Sequence, residues 1–238
     1  MHKTIVVTGG SKGIGRAILE RFAQAGGWRL VTCARSADDL AALRADLEQP
    51  GRDVEVHALP ADLGKPNEAR RFVDFVLGLG GTVDVLVNNA GSFVPGRLQD
   101  DAADGSTLRD MLAVNLLSAY DVTRGLLPQL LGQPAAHIFT MCSTASLIPY
   151  PNGGSYGVAK FALYGMTKNL REELKHTGVR VTAVLPGATY TASWEGAGLP
   201  PERFIKAEDV AEAVYGTWSL SPQAVVEELL IRPQLGDI

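Results

Sequence analysis

Short apolar and β-branched runs recur along the chain, separated by longer stretches in which apolar positions return every three or four residues. The runs are Thr4–Thr8, Leu30–Ala34, Val54–Pro60, Val83–Val87, Ala136–Met141, Arg180–Leu185 and Val226–Ile231. Strand-like runs alternating with helix-like segments predict a parallel sheet covered by helices on both faces. The expected fold class is α/β, a doubly wound parallel sheet.

The first helix is expected to open after Gly13-Ile14-Gly15. Ile14, Ala17, Ile18, Arg21, Phe22 and Ala25 follow a 3.6-residue period on one face, and Gly26-Gly27 supplies the stop. A second helix is expected from Ser36 to Glu48, with Ser36 as N-cap and Pro50-Gly51 beyond its end. No Ser/Pro linker, low-complexity tract or internal repeat divides the chain, and 238 residues with 46% hydrophobic content suit one core. A single domain over residues 1–238 is therefore expected. Two irregular stretches, Phe93–Ser106 and Tyr190–Pro201, either border a site or form ordinary surface loops.

Composition narrows the choice of partner. A net charge of −4, with Lys and Arg scattered singly, argues against nucleic acid and against an anionic membrane surface. A small molecule is left. The start, MHKTIVVTGG, has too short an apolar run for a signal-peptide core, and no later run approaches a membrane span, so a cytoplasmic location is expected. Cys33 and Cys142 lie in apolar strand-like runs and read as buried thiols, and no metal-ligand cluster accompanies them or the 4 His.

Candidate chemistry begins where the first strand ends. Thr8-Gly9-Gly10-Ser11-Lys12-Gly13-Ile14-Gly15 sets glycines at a strand-to-helix turn. Bare backbone there can approach a pyrophosphate, and a helix N-terminus offers it free N–H groups. A glycine turn selected only for tight packing is the alternative. Further on, SYGVAK holds Tyr156 and Lys160 four residues apart, one helical turn along the same face. A phenol can give its proton to a carbonyl oxygen if its pKa falls from about 10 toward neutrality, and a nearby ammonium favours that fall by stabilising the phenolate. Ser143, from the end of a neighbouring strand, could donate a hydrogen bond to the developing alkoxide. Each motif has a bland reading on its own. Asn115, taken singly, reads better as a helix kink.

Taken together and in order, these residues resemble the short-chain dehydrogenase/reductases in their compact, single-domain, NADP-type form. The resemblance spans nearly the whole chain, and Ser143 and Tyr156 are 13 positions apart, the family's spacing. It implies a Rossmann fold, NADP(H) as cofactor, and Asn115, Ser143, Tyr156 and Lys160 as the catalytic set. It also implies the cofactor contacts. Gly9, Ser11, Lys12, Gly13, Ile14 and Gly15 would form the phosphate loop, and Asp62 with Leu63 the adenine contact. Asn89, Ala90 and Gly91, in the Asn88–Gly91 turn, would flank the cofactor. Lys160, beside Tyr156, would hold the nicotinamide ribose, and Pro186, Gly187, Thr189 and Thr191 the nicotinamide end.

Ala34 stands where NAD enzymes of this architecture place an acid, and Arg35 follows it. Arg35 and Lys12 could converge on a 2′-phosphate; two solvated surface cations are the other reading. The function expected is NADPH-dependent reduction of a small carbonyl compound to its alcohol. An NAD-linked alcohol or sugar dehydrogenase and a non-enzymatic dinucleotide sensor are the rivals, and retention of Tyr156 and Lys160 argues against the sensor. Gln133-Pro134 and His176-Thr177 stand where relatives acting on carrier proteins tend to be basic, which disfavours such a substrate. The span from Thr191 to Glu208 predicts a short lid. Phe93, Leu147, Ile148, Tyr150, Trp194 and Trp218 are candidates for an apolar pocket, or equally for core. The family implies a homodimer through the Tyr156 and Asn115 helices, with a tetramer as the larger alternative. The tetramer is weakened by EELLIRPQLGDI, which lacks the usual glycine pair.

Overall fold

The computed structural model describes residues 2–191 and 198–236. Its seven strands are β1 (Lys3–Thr8), β2 (Trp28–Ala34), β3 (Val54–Pro60), β4 (Val85–Asn88), β5 (Ala136–Met141), β6 (Val179–Pro186) and β7 (Glu228–Ile231). They form one sheet in the order β3-β2-β1-β4-β5-β6-β7, and every pairing is parallel. All seven expected strands are present. β2 starts earlier than expected because Trp28 pairs with both Lys3 and Val54. β7 starts later, since the Val226 carbonyl accepts instead from the Thr182 hydroxyl at 2.6 Å.

The helices, in chain order, are α1 (Gly13–Ala25), α2 (Ala37–Leu47), α3 (Pro66–Gly78), α4 (Ser106–Leu112), α5 (Ser118–Leu131), α6 (Gly154–Leu174) and α7 (Ala207–Trp218). Ile18 and Phe22 of α1, Leu43 and Leu47 of α2, and Val210 and Val214 of α7 share a core with Ile5 and Val7 of β1. Phe72 of α3, Leu126 and Leu130 of α5 and Leu174 of α6 cover the opposite face with Val6, Leu86 and Ile138. Alternate residues of one strand thus serve two cores, so the strands carry continuous apolar runs. A fully buried side chain such as Phe22, 0% exposed, contributes about 1.5–3 kcal/mol.

Local signals set the helix starts. Ser36 Oγ accepts from the Asp39 amide at 3.1 Å and caps α2. On α1, Arg21 departs from the expected apolar stripe: its guanidinium stacks 3.6 Å from the Tyr215 ring centroid and pairs with Glu212 of α7. Among the described residues, no helix is long and apolar enough to cross a membrane. β1 and β4 lie side by side, and the helices that follow them pack on opposite faces, which makes their carboxyl ends the switch point of the sheet.

Candidate active site

The turn after β1 is clamped onto the turn after β4. Asn89 Nδ2 donates to the carbonyls of Thr8 and Gly9 at 2.9 and 3.0 Å. Thr8 Oγ1 accepts from the amides of Asn89 and Ala90, both at 2.9 Å. The two turns are so close that a Cβ on Gly15 would lie 2.4 Å from Asn89 Nδ2. Gly13 has φ +55°, and a Cβ there would come 3.2 Å from Thr191 Cγ2. The opening turn of α1 has no side-chain cap and no acid, so its N–H groups face outward unclaimed by a side chain. A backbone-only cradle at a helix N-terminus fits the pyrophosphate of a dinucleotide.

The residues expected at the adenine end follow β1, β2 and β3. Lys12 Nζ forms an ion pair with Asp39 Oδ2 of α2 at 2.9 Å rather than converging with Arg35. The same contact holds the Asp39 carboxyl below the usual range. Arg35 is exposed and makes no ion pair among the described residues. Leu63 is 7% exposed and belongs to the core cluster that holds Phe72. Asp62 accepts from the Gly64 amide at 3.2 Å and lies 3.6 Å from Lys65 Nζ.

The residues expected as the catalytic set gather where β5 ends. Ser143 caps a short 3-10 turn, Thr144–Ser146; its Oγ accepts from the Ala145 amide and its own amide donates to Ser146 Oγ, both at 3.2 Å. Across from it, α6 presents Tyr156 and Lys160. Lys160 is buried and its Nζ donates to the Met141 carbonyl at 2.8 Å, lying 5.8 Å from the Tyr156 ring centroid. Asn115 sits in a π-helical turn, Ala113–Leu117, that joins α4 to α5. Its Nδ2 donates to the carbonyls of Ser92 and Met111 at 3.0 and 3.1 Å, and its Oδ1 accepts from the Ser92 amide at 3.2 Å. Asn115 therefore marks an irregular turn, as its kink reading expected, and it lines the cleft.

Asn115, Ser143, Tyr156 and Lys160 all line one cleft of about 390 Å³, with Ile14, Asn89, Gly91, Pro186, Gly187, Thr189 and Thr191 along it. Gly9, Ser11, Lys12, Arg35 and Asp62 do not line this cleft; they follow β1, β2 and β3, farther along the same sheet edge. Thr189 is buried and donates to the Gly187 carbonyl at 3.1 Å, which leaves Thr191 as the more accessible of the two. Of the apolar candidates, Phe93, Ile148 and Tyr150 line the cleft, and Phe93 meets Tyr156 edge-on at 4.9 Å. Leu147 packs instead with Leu163 and Leu185. Trp218 packs edge-on against Trp28 at 5.8 Å, in the core at the other end of the sheet. Trp194 lies outside the described residues.

Burial raises the Tyr156 phenol above its ordinary value of 10, and hydrogen bonding with Ser143 opposes the rise. The Lys160 ammonium is turned to the Met141 carbonyl. Burial depresses Lys160 itself to about 8. Cys142, beside Ser143, is raised to about 11 by burial and stays a thiol. Two further contributors escaped the sequence reading. Asp101 accepts from the Ser155 hydroxyl and ties the loop before α4 to the first turn of α6. Arg232, the first residue after β7, lines the cleft; its signal was its position at the carboxyl end of a strand, where ligands gather in such sheets.

Residues 3–199 match the short chain dehydrogenase family. This chain belongs to that family. Sulfoacetaldehyde reductase 2 of Chromohalobacter salexigens is 34% identical across 98% of this chain and 95% of its own. The alcohol dehydrogenase of the archaeon Thermococcus sibiricus, complexed with 5-hydroxy-NADP, has a TM-score of 0.87 at 32% identity, covering 98% of this chain and 97% of that one. L-sorbose reductase from Gluconobacter frateurii, complexed with NADPH and L-sorbose, has a TM-score of 0.87 at 25% identity, covering 97% and 95%. This short-chain dehydrogenase is thus an oxidoreductase with the Rossmann-like sheet of its relatives.

Proposed function

We propose that this short-chain dehydrogenase is an NADP(H)-dependent carbonyl reductase in which Tyr156 is the general acid. The observation that carries the reading is that Tyr156, Ser143, Lys160 and Asn115 meet on one cleft that continues along Asn89 and Gly91 to Thr191. The dinucleotide, when bound, supplies the hydride. Gly9 to Gly15 hold its pyrophosphate, Pro186 to Thr191 flank the nicotinamide, and Arg35 is the cation for a 2′-phosphate, joined by Lys12 when the Asp39 contact opens. The Ser143 hydroxyl donates to the substrate carbonyl oxygen and orients it. Tyr156 passes its proton to that oxygen as alkoxide character develops, and Lys160 opposes the negative charge left on the phenol. A phenol held protonated by burial suits the reducing direction. Asn115 Oδ1, bonded once to Ser92, keeps a second lone pair for a water that returns a proton to Tyr156.

The Lys12–Asp39 pair favours a second reading, an NAD-linked alcohol or sugar dehydrogenase, because it occupies one of the two cations assigned to the 2′-phosphate. Initial rates with NADPH and NADH on ketones, aldehydes, quinones and 3-ketoacyl esters separate the two. The proposal expects NADPH to be favoured at least tenfold in kcat/KM; equal use of both, or preference for NADH, contradicts it. Relatives named for reduction of sulfoacetaldehyde and sorbose support a carbonyl substrate.

The same reading includes a homodimer. Leu117 and Tyr120, before and on α5, and Val158 and Phe161 on α6 are 42–47% exposed, an apolar strip of the kind buried between subunits. Sedimentation velocity at micromolar concentration tests it, and a purely monomeric species contradicts it.

A further inference from the structure

Helix α6 carries Tyr156 and Lys160, yet its own sequence does little to fix where it begins. It opens on Gly153-Gly154-Ser155; Gly153, the N-cap, has no side chain to cap with, and the first turn holds no acid. Gly154 takes φ +35°, which residues with a Cβ rarely adopt. Two adjacent glycines leave the backbone its widest choice of conformations just before Ser155 and Tyr156. What holds this turn must come from elsewhere in the chain.

The connection from β4 to α4 grips it. At the start of that connection Ser92 and Phe93 line the cleft, and the Phe93 ring meets Tyr156 edge-on at 4.9 Å. In its middle the Gly96 amide donates to the Asn152 carbonyl at 3.1 Å. The backbones are so close there that a Cβ on Gly154 would lie 2.3 Å from the Gly96 carbonyl oxygen. Farther along, Asp101 accepts from the Ser155 hydroxyl. Ser155 is buried, so water does not readily stand in for the carboxylate. A charged acceptor makes this bond stronger than a neutral one would, and negative charge is favoured beside the unpaired N–H groups of a helix start.

We propose, resting on the reading of Tyr156 as general acid, that Asp101 is a positioning residue for Tyr156. Through Ser155 it fixes the first turn of α6, so that the phenol stands within reach of the substrate carbonyl oxygen beside Ser143. Asp101 touches no reacting atom and acts through the residue next to the tyrosine. A looser turn misplaces the proton donor and slows the chemical step. Cofactor binding, assigned chiefly to the turn after β1, is left as it was.

The test is a double-mutant cycle of Asp101→Ala with Tyr156→Phe, read as the single-turnover rate of NADPH oxidation on one carbonyl substrate. With Tyr156 in place, Asp101→Ala is expected to lower the rate about 10–10²-fold and to keep NADPH affinity, by fluorescence titration, within about twofold. In the Tyr156→Phe background the same change should cost less than about threefold, because the hydroxyl that Asp101 positions is gone. General damage to the fold would slow both backgrounds alike. Asp101→Asn still accepts the hydrogen bond and should recover most of the lost rate. Should Asp101→Ala fail to fold, Ser155→Ala, which removes the donor and keeps the carboxylate, replaces it in the same cycle. Equal losses in the two backgrounds, a rate unchanged by Asp101→Ala, or Asp101→Asn as slow as Asp101→Ala overturns the assignment and leaves the general acid standing. A Tyr156→Phe variant that keeps more than a few per cent of the wild-type rate, or no turnover of any carbonyl with NADPH or NADH, removes the general-acid reading and this one with it.

Discussion

Lys160 Nζ donates a 2.8 Å hydrogen bond to the carbonyl oxygen of Met141, the last residue of β5 and two positions before Ser143. The strand that delivers the serine therefore also anchors the lysine. Burial lowers Lys160 to about 8, so the side chain is an ammonium below that pH and an amine above it. The phenol keeps its proton through the same range, since its own value is raised. In the reducing direction, kcat/KM should be level near neutrality and decline above about pH 8 as the ammonium is lost. Lys160→Arg, which retains its charge throughout, should move the decline to higher pH; a profile identical to wild type counts against Lys160 as its source.

Arg35 is exposed and without an ion pair among the described residues, whereas Lys12 is paired with Asp39. Arg35→Ala should raise the NADPH Michaelis constant about tenfold or more, the worth of one charge-assisted contact, and leave that for NADH nearly unchanged. Asp39→Asn releases Lys12 and should improve NADPH affinity only a fewfold, because an exposed pair is worth about 0–1 kcal/mol. Equal NADPH affinity in wild type and Arg35→Ala removes the assignment.

These contacts show where reading the sequence stops. All seven strands were legible as short apolar-rich runs; β1, β4, β5 and β6 are largely buried on both faces, whereas β7 leaves Glu228 and Leu230 exposed. The residues now found along one cleft were legible through motif order. The Lys12–Asp39 pair was not, because it depends on how the glycine turn lies over the first turn of α2. Trp218 was left open between pocket and core for a related reason. An aromatic on an apolar helix face reads alike as pocket or core, although Val210, Val214 and Trp218 share one stripe of α7 that faces the core. At Asn115 the sequence suggests a helix kink but not what fastens it, since Ser92, which holds the π-helical turn, is far away in sequence.

Hydrogen bonds from and to the Asn115 side chain fasten this turn to Ser92 and Met111. Asn115→Ala leaves buried backbone groups unpaired and should destabilise the protein by about 1–3 kcal/mol in urea unfolding. Activity should fall as well, and it should fall even at temperatures where the variant is fully folded. Unchanged stability contradicts the account of the turn.

His137 is fully buried, stacked 3.9 Å from Phe139. Thr182 gives its own hydrogen to the Val226 carbonyl, so its oxygen accepts from His137 Nε2 at 2.7 Å, leaving Nδ1 bare and without a partner. Burial, with Arg180 nearby, depresses the imidazole well below 6.5. The unfolded chain therefore takes up a proton that the folded chain refuses, and stability must fall as pH drops below about 6.5. Melting temperatures from pH 7.5 to 5 should show this decline, with a weaker slope in His137→Phe. An identical slope in the variant excludes His137 as its source.

The central claim is that Tyr156 supplies the transferred proton. Tyr156→Phe retains the ring that packs against Phe93 and removes only the hydroxyl. The decisive measurement is single-turnover oxidation of NADPH by wild type and Tyr156→Phe on one shared carbonyl substrate, with NADPH affinity determined separately by fluorescence titration. The account predicts nearly unchanged NADPH binding and a hydride-transfer rate reduced about 10²–10⁴-fold. A variant that binds NADPH normally and keeps more than a few per cent of the wild-type rate, about a thirtyfold loss or less, contradicts it.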